Sequence, residues 1–358
     1  MRRMGVVAAI VSLSLVGLVG ASSGPAVAAG VKAVRVAGGL NVPVGFTFLP
    51  DGRLVYLERN TGWLRFRNLQ TGNDHRVHRI LNVDSDGERG ALGVAIHPAW
   101  PQMRFVYVFA TRNTPEGLRN QVLRIKVQDG RGVGVRRLLS ITAGPASNHN
   151  GGRILFGPDR KLYVVVGENA VPANSQDLTS NLHGKILRIN PDGSTPEGNA
   201  FGKIWAYGLR NSIGMAFDPM TGRLWETDNG PGCNDELNRI VRGGNFAWGP
   251  NESCPNTNNS GPRPRIHPRF TFADTVGITG VAFCDGCRLG PSYRGDLLVG
   301  ANNDGRIRRF DLNGTRRGLD AGPLLVLDHP ERVLSLEVGP NGRIFFSDFS
   351  AIYRLAPA

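Results

Sequence analysis

One phrase is written six times along this chain, and its recurrence constrains the fold more than any property of composition. The copies read GFTFLPDGRLVYLER from Gly45, GVAIHPAWPQMRFVYVFAT from Gly93, NGGRILFGPDRKLYVVVGEN from Asn150, GMAFDPMTGRLWETDNG from Gly214, GVAFCDGCRLGPSYRGDLLVG from Gly280 and SLEVGPNGRIFFSDF from Ser335. Each has an apolar run, a Pro-Asp-Gly-like turn and a second apolar run, which is the grammar of strand, tight turn, strand. The turn prolines Pro50, Pro98, Pro158 and Pro219 are separated by 48, 60 and 61 residues, and Pro340 lies 121 further on, two periods away. The Cys284–Cys287 stretch occupies the missing turn. A further short strand follows most copies, as in GWLRFRNL from Gly62 and GKILRIN from Gly184. Repeats of this length with several strands each predict propeller blades, and six copies predict an all-β, six-bladed β-propeller. The segment VKAVRVAGGL from Val31 is then a lone strand that joins the last blade and closes the ring, leaving no long unpaired edge.

The domain so predicted spans residues 29–358. Residues 1–28 read differently: Arg2 and Arg3 precede a short apolar run broken by serine and glycine, and Ala26-Val27-Ala28 offers a small-residue cleavage site. That pattern is a secretory signal peptide, too short for a membrane anchor, and places the mature protein outside the cytoplasm, secreted or periplasmic. The four cysteines suit that compartment. Two structural disulfides, Cys233–Cys254 and Cys284–Cys287, are preferred over a zinc site or a redox Cys-x-x-Cys, although three pairings are formally open. Without Arg2 and Arg3 the formal net charge falls from +13 to +11, still strongly basic. The basic residues are spread through all blades, which favours a solvated surface suited to an anionic cell wall over nucleic-acid binding.

Only the third copy carries a histidine immediately ahead of it, His149 in SNHNGGR. Glu168 ends the hairpin that follows and lies within reach of it by topology; imidazole beside carboxylate is a general-base arrangement, against the bland reading of a structural loop histidine. Arg210-Asn211, in YGLRN, offers a donor fork for a carboxylate or carbonyl, or an inter-blade ion pair. Asp228-Asn229-Gly230-Pro231 is a tight turn whose backbone carbonyls suit a hard cation, or simply a turn. Glu88, in GERGALG, stands where it can reach the central opening or face solvent. The stretch GGNFAWGP, residues 243–250, reads as structure.

These phrases, in order along nearly the whole mature chain, resemble the soluble quinoprotein sugar dehydrogenases, the glucose/sorbosone and aldose sugar dehydrogenase family. The resemblance rests on GERGALGVAIHP, the His149 phrase, HGKILRINPDGSTPEGN, YGLRNSIGMAFDP, ETDNGPGCNDELNRIVRGGNFAW and ERVLSLEVGPNG. It implies pyrroloquinoline quinone (PQQ) with a calcium ion at the channel mouth, and oxidation of an aldose at C1 to the lactone. It implies that His149 is the base for the C1 hydroxyl, that Glu168 neighbours it, and that Arg210 and Asn211 hold the quinone. It further implies that Glu88, Asn229, Asn302 and Arg332 contact the cofactor, and that the main-chain oxygens of Gly230 and Pro231 are calcium ligands. The chain departs from the glucose-oxidising pattern in having Asn302-Asn303 in place of a lysine, and Leu334 in place of a second arginine beside Arg332. An external electron acceptor is expected, because no haem-attachment Cys-x-x-Cys-His occurs. Two rival classes stand beside this reading, a calcium-dependent hydrolytic propeller such as a lactonase and a non-catalytic glycan- or protein-binding propeller.

Overall fold

The computed structural model describes residues 30–358. Six four-stranded antiparallel sheets follow one another along the chain, at 46–79, 91–142, 154–207, 211–274, 278–328 and 335–357. The last of these takes its fourth strand from the start of the described chain. Val31–Gly38 pairs antiparallel with Ala351–Pro357, from Val31 opposite Pro357 to Gly38 opposite Ala351. The ring is therefore closed by the lone strand that the sequence places there.

Every repeated phrase is the inner hairpin of a blade. In blade 3, for example, Ile154–Phe156 pairs with Leu162–Val166 across the turn at Gly157-Pro158-Asp159. The second strands are buried on both faces, as at Leu54–Leu57 and Leu162–Val166, because neighbouring blades cover them. Near-continuous apolar runs are what such doubly covered strands require. The leading glycines have a packing reason too. A Cβ on Gly93 would overlap the Gly152 carbonyl, and one on Gly214 the Thr279 carbonyl, so these positions let the inner strands of adjacent blades approach around the axis.

The outermost strand of each blade is what the repeat does not announce. Arg131–Thr142, Asp74–Arg79 and Leu319–Asp328 are largely exposed, and the first two are rich in charge. They are held by ladder hydrogen bonds to the third strand, not by a buried face, so they lack the apolar alternation that marks the inner ones. The cysteines form the two preferred bridges, Cys233–Cys254 with Cα atoms 6.0 Å apart, and Cys284–Cys287 within the blade 5 turn. No helix among the described residues is long and apolar enough to cross a membrane. The segment that the sequence reads as a signal peptide, residues 1–28, lies outside the described residues.

Candidate active site

A cavity of about 440 Å³ opens on one face of the ring, and every blade or the loop leading into it lines its wall, with Arg59, Glu88, His149, Arg210, Asn302 and Arg332 among the contributors. It therefore sits on the ring axis. A second cavity of about 350 Å³ shares Arg153 with it and is walled by Thr47, Val94, Met215 and Glu337, so the buried Arg153 guanidinium separates the two along the channel. The first cavity has the size and the mixed lining of a small-molecule or cofactor site.

His149 occupies the positive-φ region, at φ 57°, which turns its ring into the cavity wall. Two neighbours hold it there. Its backbone N–H donates to Glu88 Oε2 at 2.8 Å, and its carbonyl accepts from the Asn169 N–H at 3.0 Å. The ring Nδ1 lies 2.5 Å from Glu168 Oε1, and both side chains are buried, Glu168 to 1% exposure. A carboxylate only accepts, so Nδ1 carries the proton and Nε2 is left as the acceptor. Among the described residues the sole protein donor near Nε2 is Asn148 Nδ2, at a long 3.4 Å. The other carboxylate oxygen, Glu168 Oε2, is buried without a partner. This is an imidazole, oriented by a carboxylate, facing a cavity.

Arg210 and Asn211 stand across from it, and Asp228 fixes both. Its carboxylate accepts the Arg210 N–H at 2.8 Å and the Asn211 N–H at 2.6 Å. Burial pushes Asp228 up to about 6 despite those two donors, and the same cause takes the adjoining Glu236 to about 8. The Arg210 guanidinium donates to the Asn229 carbonyl at 2.8 Å and lies 5.4 Å from the Trp248 ring. Trp248 arrives on a long excursion from blade 4 that hydrogen-bonds along blade 3, through Phe246 N to Tyr207 O and Trp248 N to Gly208 O. The stretch 243–250 is thus structure, as its composition suggests, but structure that backs the arginine. Desolvation lowers the Arg210 affinity for its proton, yet a guanidinium keeps its charge at any ordinary pH. Asn211 Nδ2 reaches Glu88 at 3.3 Å, while its Oδ1 is buried without a donor.

Glu88, His149, Arg210, Asn211 and Asn229 therefore line one cavity, with Glu168 held against His149. Asn302 and Arg332 line the same cavity with Asn303 and Leu334 beside them. Gly230 and Pro231 form the adjoining turn but do not line the cavity, and Gly230 N–H is taken by Asp235 Oδ1 at 2.9 Å. Among the described residues no cluster of three or more His, Cys, Asp or Glu side chains could hold a metal. Two cationic residues escape a motif-based reading. Arg59 lines the cavity and donates to the carbonyls of Ser85 and Gly87, fixing the loop that carries Glu88. Arg153 forms the floor and donates to Ser335 Oγ. A signal for Arg59 exists: like Glu168, Asn229 and Asn302, it lies at or just beyond the end of its blade's second strand.

The family model for glucose/sorbosone dehydrogenases matches residues 40–351. The chain belongs to the glucose/sorbosone dehydrogenase family. Among its relatives, the aldose sugar dehydrogenase YliI of Escherichia coli is 28% identical over 86% of this chain and 86% of its own length. Quinoprotein glucose dehydrogenase B of Acinetobacter calcoaceticus is 31% identical over 58% of this chain and 50% of its own length. The PQQ-bound aldose sugar dehydrogenase of Streptomyces coelicolor superposes with a TM-score of 0.79 at 27% identity, covering 93% of this chain and 99% of that one. Family membership and the six-bladed ring thus agree with the resemblance drawn from the motifs.

Proposed function

We propose that the protein is an exported quinoprotein that oxidises the C1 hydroxyl of an aldose to the lactone, with His149 as the general base. The observation that carries this reading is the His149–Glu168 pair, its free Nε2 set in the wall of a cavity shared with Arg59, Arg210 and Arg332. The lining fits a planar tricarboxylate such as PQQ. Three guanidinia offer cationic partners, Asn211 Oδ1 waits unpaired, and Leu92, Ile213, Leu334 and Phe349 supply apolar surface. When bound, that group supplies the hydride acceptor for C1.

The protein's own residues do the rest. His149 Nε2 takes the hydroxyl proton, and Glu168 holds the ring in the required tautomer and stabilises the imidazolium that forms. Glu88 fixes the backbone beneath the ring and the Asn211 amide opposite. Arg210, backed by Trp248 and tied to Asn229, presents a fixed positive charge to negative charge that develops during reduction. Glu88, Asn211, Asn229, Asn302 and Arg332 are the proposed cofactor contacts, and the main-chain oxygens of Gly230 and Pro231 the proposed calcium ligands. Electrons pass on to an external acceptor. A leader at residues 1–28 and two disulfides support export, and the basic surface supports association with an anionic wall.

The test is titration of metal-stripped protein with PQQ, with and without calcium, followed by a panel of aldoses while the quinone absorbance is watched. Calcium-dependent binding and sugar-driven reduction are expected. Absence of binding at micromolar cofactor removes the proposal and favours the non-catalytic class, in which Asn302 and Leu334 stand where two cationic contacts would be; retained binding without reduction by any aldose removes the role of His149 as the base.

A further inference from the structure

Lys185 is wholly buried, yet among the described residues it pairs with no carboxylate. Its ammonium instead donates all three protons to backbone carbonyls, those of Asn174 at 2.6 Å, His183 at 2.6 Å and Ser175 at 3.1 Å. Two of the three lie on one strap, the short 3₁₀ turn Pro172–Gln176 that follows Glu168. That strap is wired to both halves of the candidate site. Toward the base, Asn174 Nδ2 donates to the Glu168 carbonyl at 3.0 Å. Toward the arginine, Ser175 Oγ donates to the Leu209 carbonyl at 2.7 Å, and the Gly208 N–H donates to the Ser175 carbonyl. The Glu168 N–H in turn donates to the Arg210 carbonyl at 2.8 Å, so the two catalytic segments are also joined directly.

We infer that Lys185 is a positioning residue: its ammonium is an internal cross-link that seats the 172–176 strap and so sets Glu168 against His149 and holds the Leu209–Arg210 segment opposite. The inference rests on the reading of His149 and Glu168 as the catalytic pair.

The chemistry favours this role over passive filling. A buried ammonium is expensive unless each proton has an acceptor, and here three carbonyls form a complete tripod. Burial pushes the lysine down to about 7, opposed by the charge of Asp177, with His183 the other titratable group beside it. An apolar side chain would fill the space without that penalty. It would also leave the His183 carbonyl without a donor and the Asn174 carbonyl with only the Asp177 N–H at 3.2 Å, and the strap would have to move to find water. Gly184, at φ +66°, leaves no room for such movement on its side, because even a Cβ there would meet Ser175 and the Leu209 carbonyl.

The test needs neither cofactor nor sugar. In the apo protein, with histidines ¹⁵N-labelled, the His149 Nδ1–H resonance reports the contact with Glu168; its assignment comes from its loss in His149→Gln. Exchange of the Glu168 and Gly208 backbone amides reports the strap. Lys185→Met is compared with Ile189→Ala, a buried truncation on the same strand that touches neither Asn174 nor Ser175. Lys185→Met is expected to move or broaden the Nδ1–H signal and to speed exchange of both amides tenfold or more. Ile189→Ala is expected to lower the Tm while leaving the signal in place. An unchanged signal in Lys185→Met, or the same change in both variants, overturns the inference. Should Lys185→Met fail to fold, Asn174→Ala decides the matter, because it cuts the last link to Glu168 and otherwise removes only a long 3.4 Å contact from Asn181; a signal identical to the parent's then refutes the cross-link. If the resonance responds as expected but His149→Gln retains full dehydrogenase activity, the positioning stands and the reading of His149 as the base falls.

Discussion

Replacing Glu168 by glutamine tests the catalytic pair with almost no change of shape. The parent contact is charge-assisted, 2.5 Å long and buried. Such a bond contributes about 1.5–3 kcal/mol where a neutral one contributes about 0.5–1.5. If the amide oxygen takes the Nδ1 proton, the tautomer survives and only the support for the imidazolium is lost. That loss is about 1–2 kcal/mol, or roughly a five- to thirtyfold fall in rate. The amide NH₂ would then occupy the place of Oε2, which is buried without a partner, and would gain no acceptor there. If the amide flips to put its NH₂ against Nδ1, the proton moves to Nε2 and the base is lost; the wrong tautomer can cost as much as ~10⁴. The assay is single-turnover reduction of the PQQ-loaded protein by saturating aldose in stopped flow, with cofactor affinity measured separately. A rate within twofold of the parent, at unchanged cofactor binding, would refute the argument that Glu168 supports the base.

Three other perturbations reach different parts of the molecule. Asn302→Lys returns a cation to the cavity wall and is expected to tighten PQQ binding about tenfold, the worth of one charge-assisted contact; equal affinity in a fluorescence titration would show that Asn302 lies outside the cofactor's reach. Opening the Cys233–Cys254 bridge by serine substitution is expected to cost about 3 kcal/mol in chemical denaturation, whereas the Cys284–Cys287 bridge, closing a far shorter loop, should matter less; the reverse order would be incompatible with loop entropy as the cause. Asp228, Glu337 and Glu236 have carboxyls raised by burial to about 6, 7 and 8, so the folded state holds protons that the unfolded chain releases. Their contribution is complete below about pH 4, the unfolded range, and is lost as pH rises through those values. The apo protein is therefore expected to melt at a lower temperature at pH 8 than at pH 5, and Glu236→Gln should flatten that fall. A Tm that rises over the same interval would contradict the burial argument.

The inner hairpins were legible because their turns and doubly covered strands need residues that announce themselves. The outer strands were not: Arg131–Thr142 is exposed along most of its length and is held by backbone pairing, which leaves little pattern in the side chains. The site divides in the same way. His149 and Glu168 are 19 residues apart at the two ends of one hairpin, so local topology alone brings them together. Asn174 and Lys185 are also close in sequence, but nothing in the chain says that a lysine on a buried strand will be satisfied by carbonyls.

What the sequence determined by itself is the repeat and, through it, the number of blades and the closing strand, together with the motif residues that place the chain in its family. These follow from short-range rules, since turn chemistry and strand periodicity act over a few residues. Only the tertiary structure decided which residues meet across the axis. Glu88 bonds the His149 backbone 61 residues away and the Asn211 side chain 123 residues away, and Arg59 and Arg153 join the same cavity from separate blades. The periodicity specifies each blade but not the height at which its inner strand stands against the next. That register is set when the ring closes and the inner strands pack together around the channel.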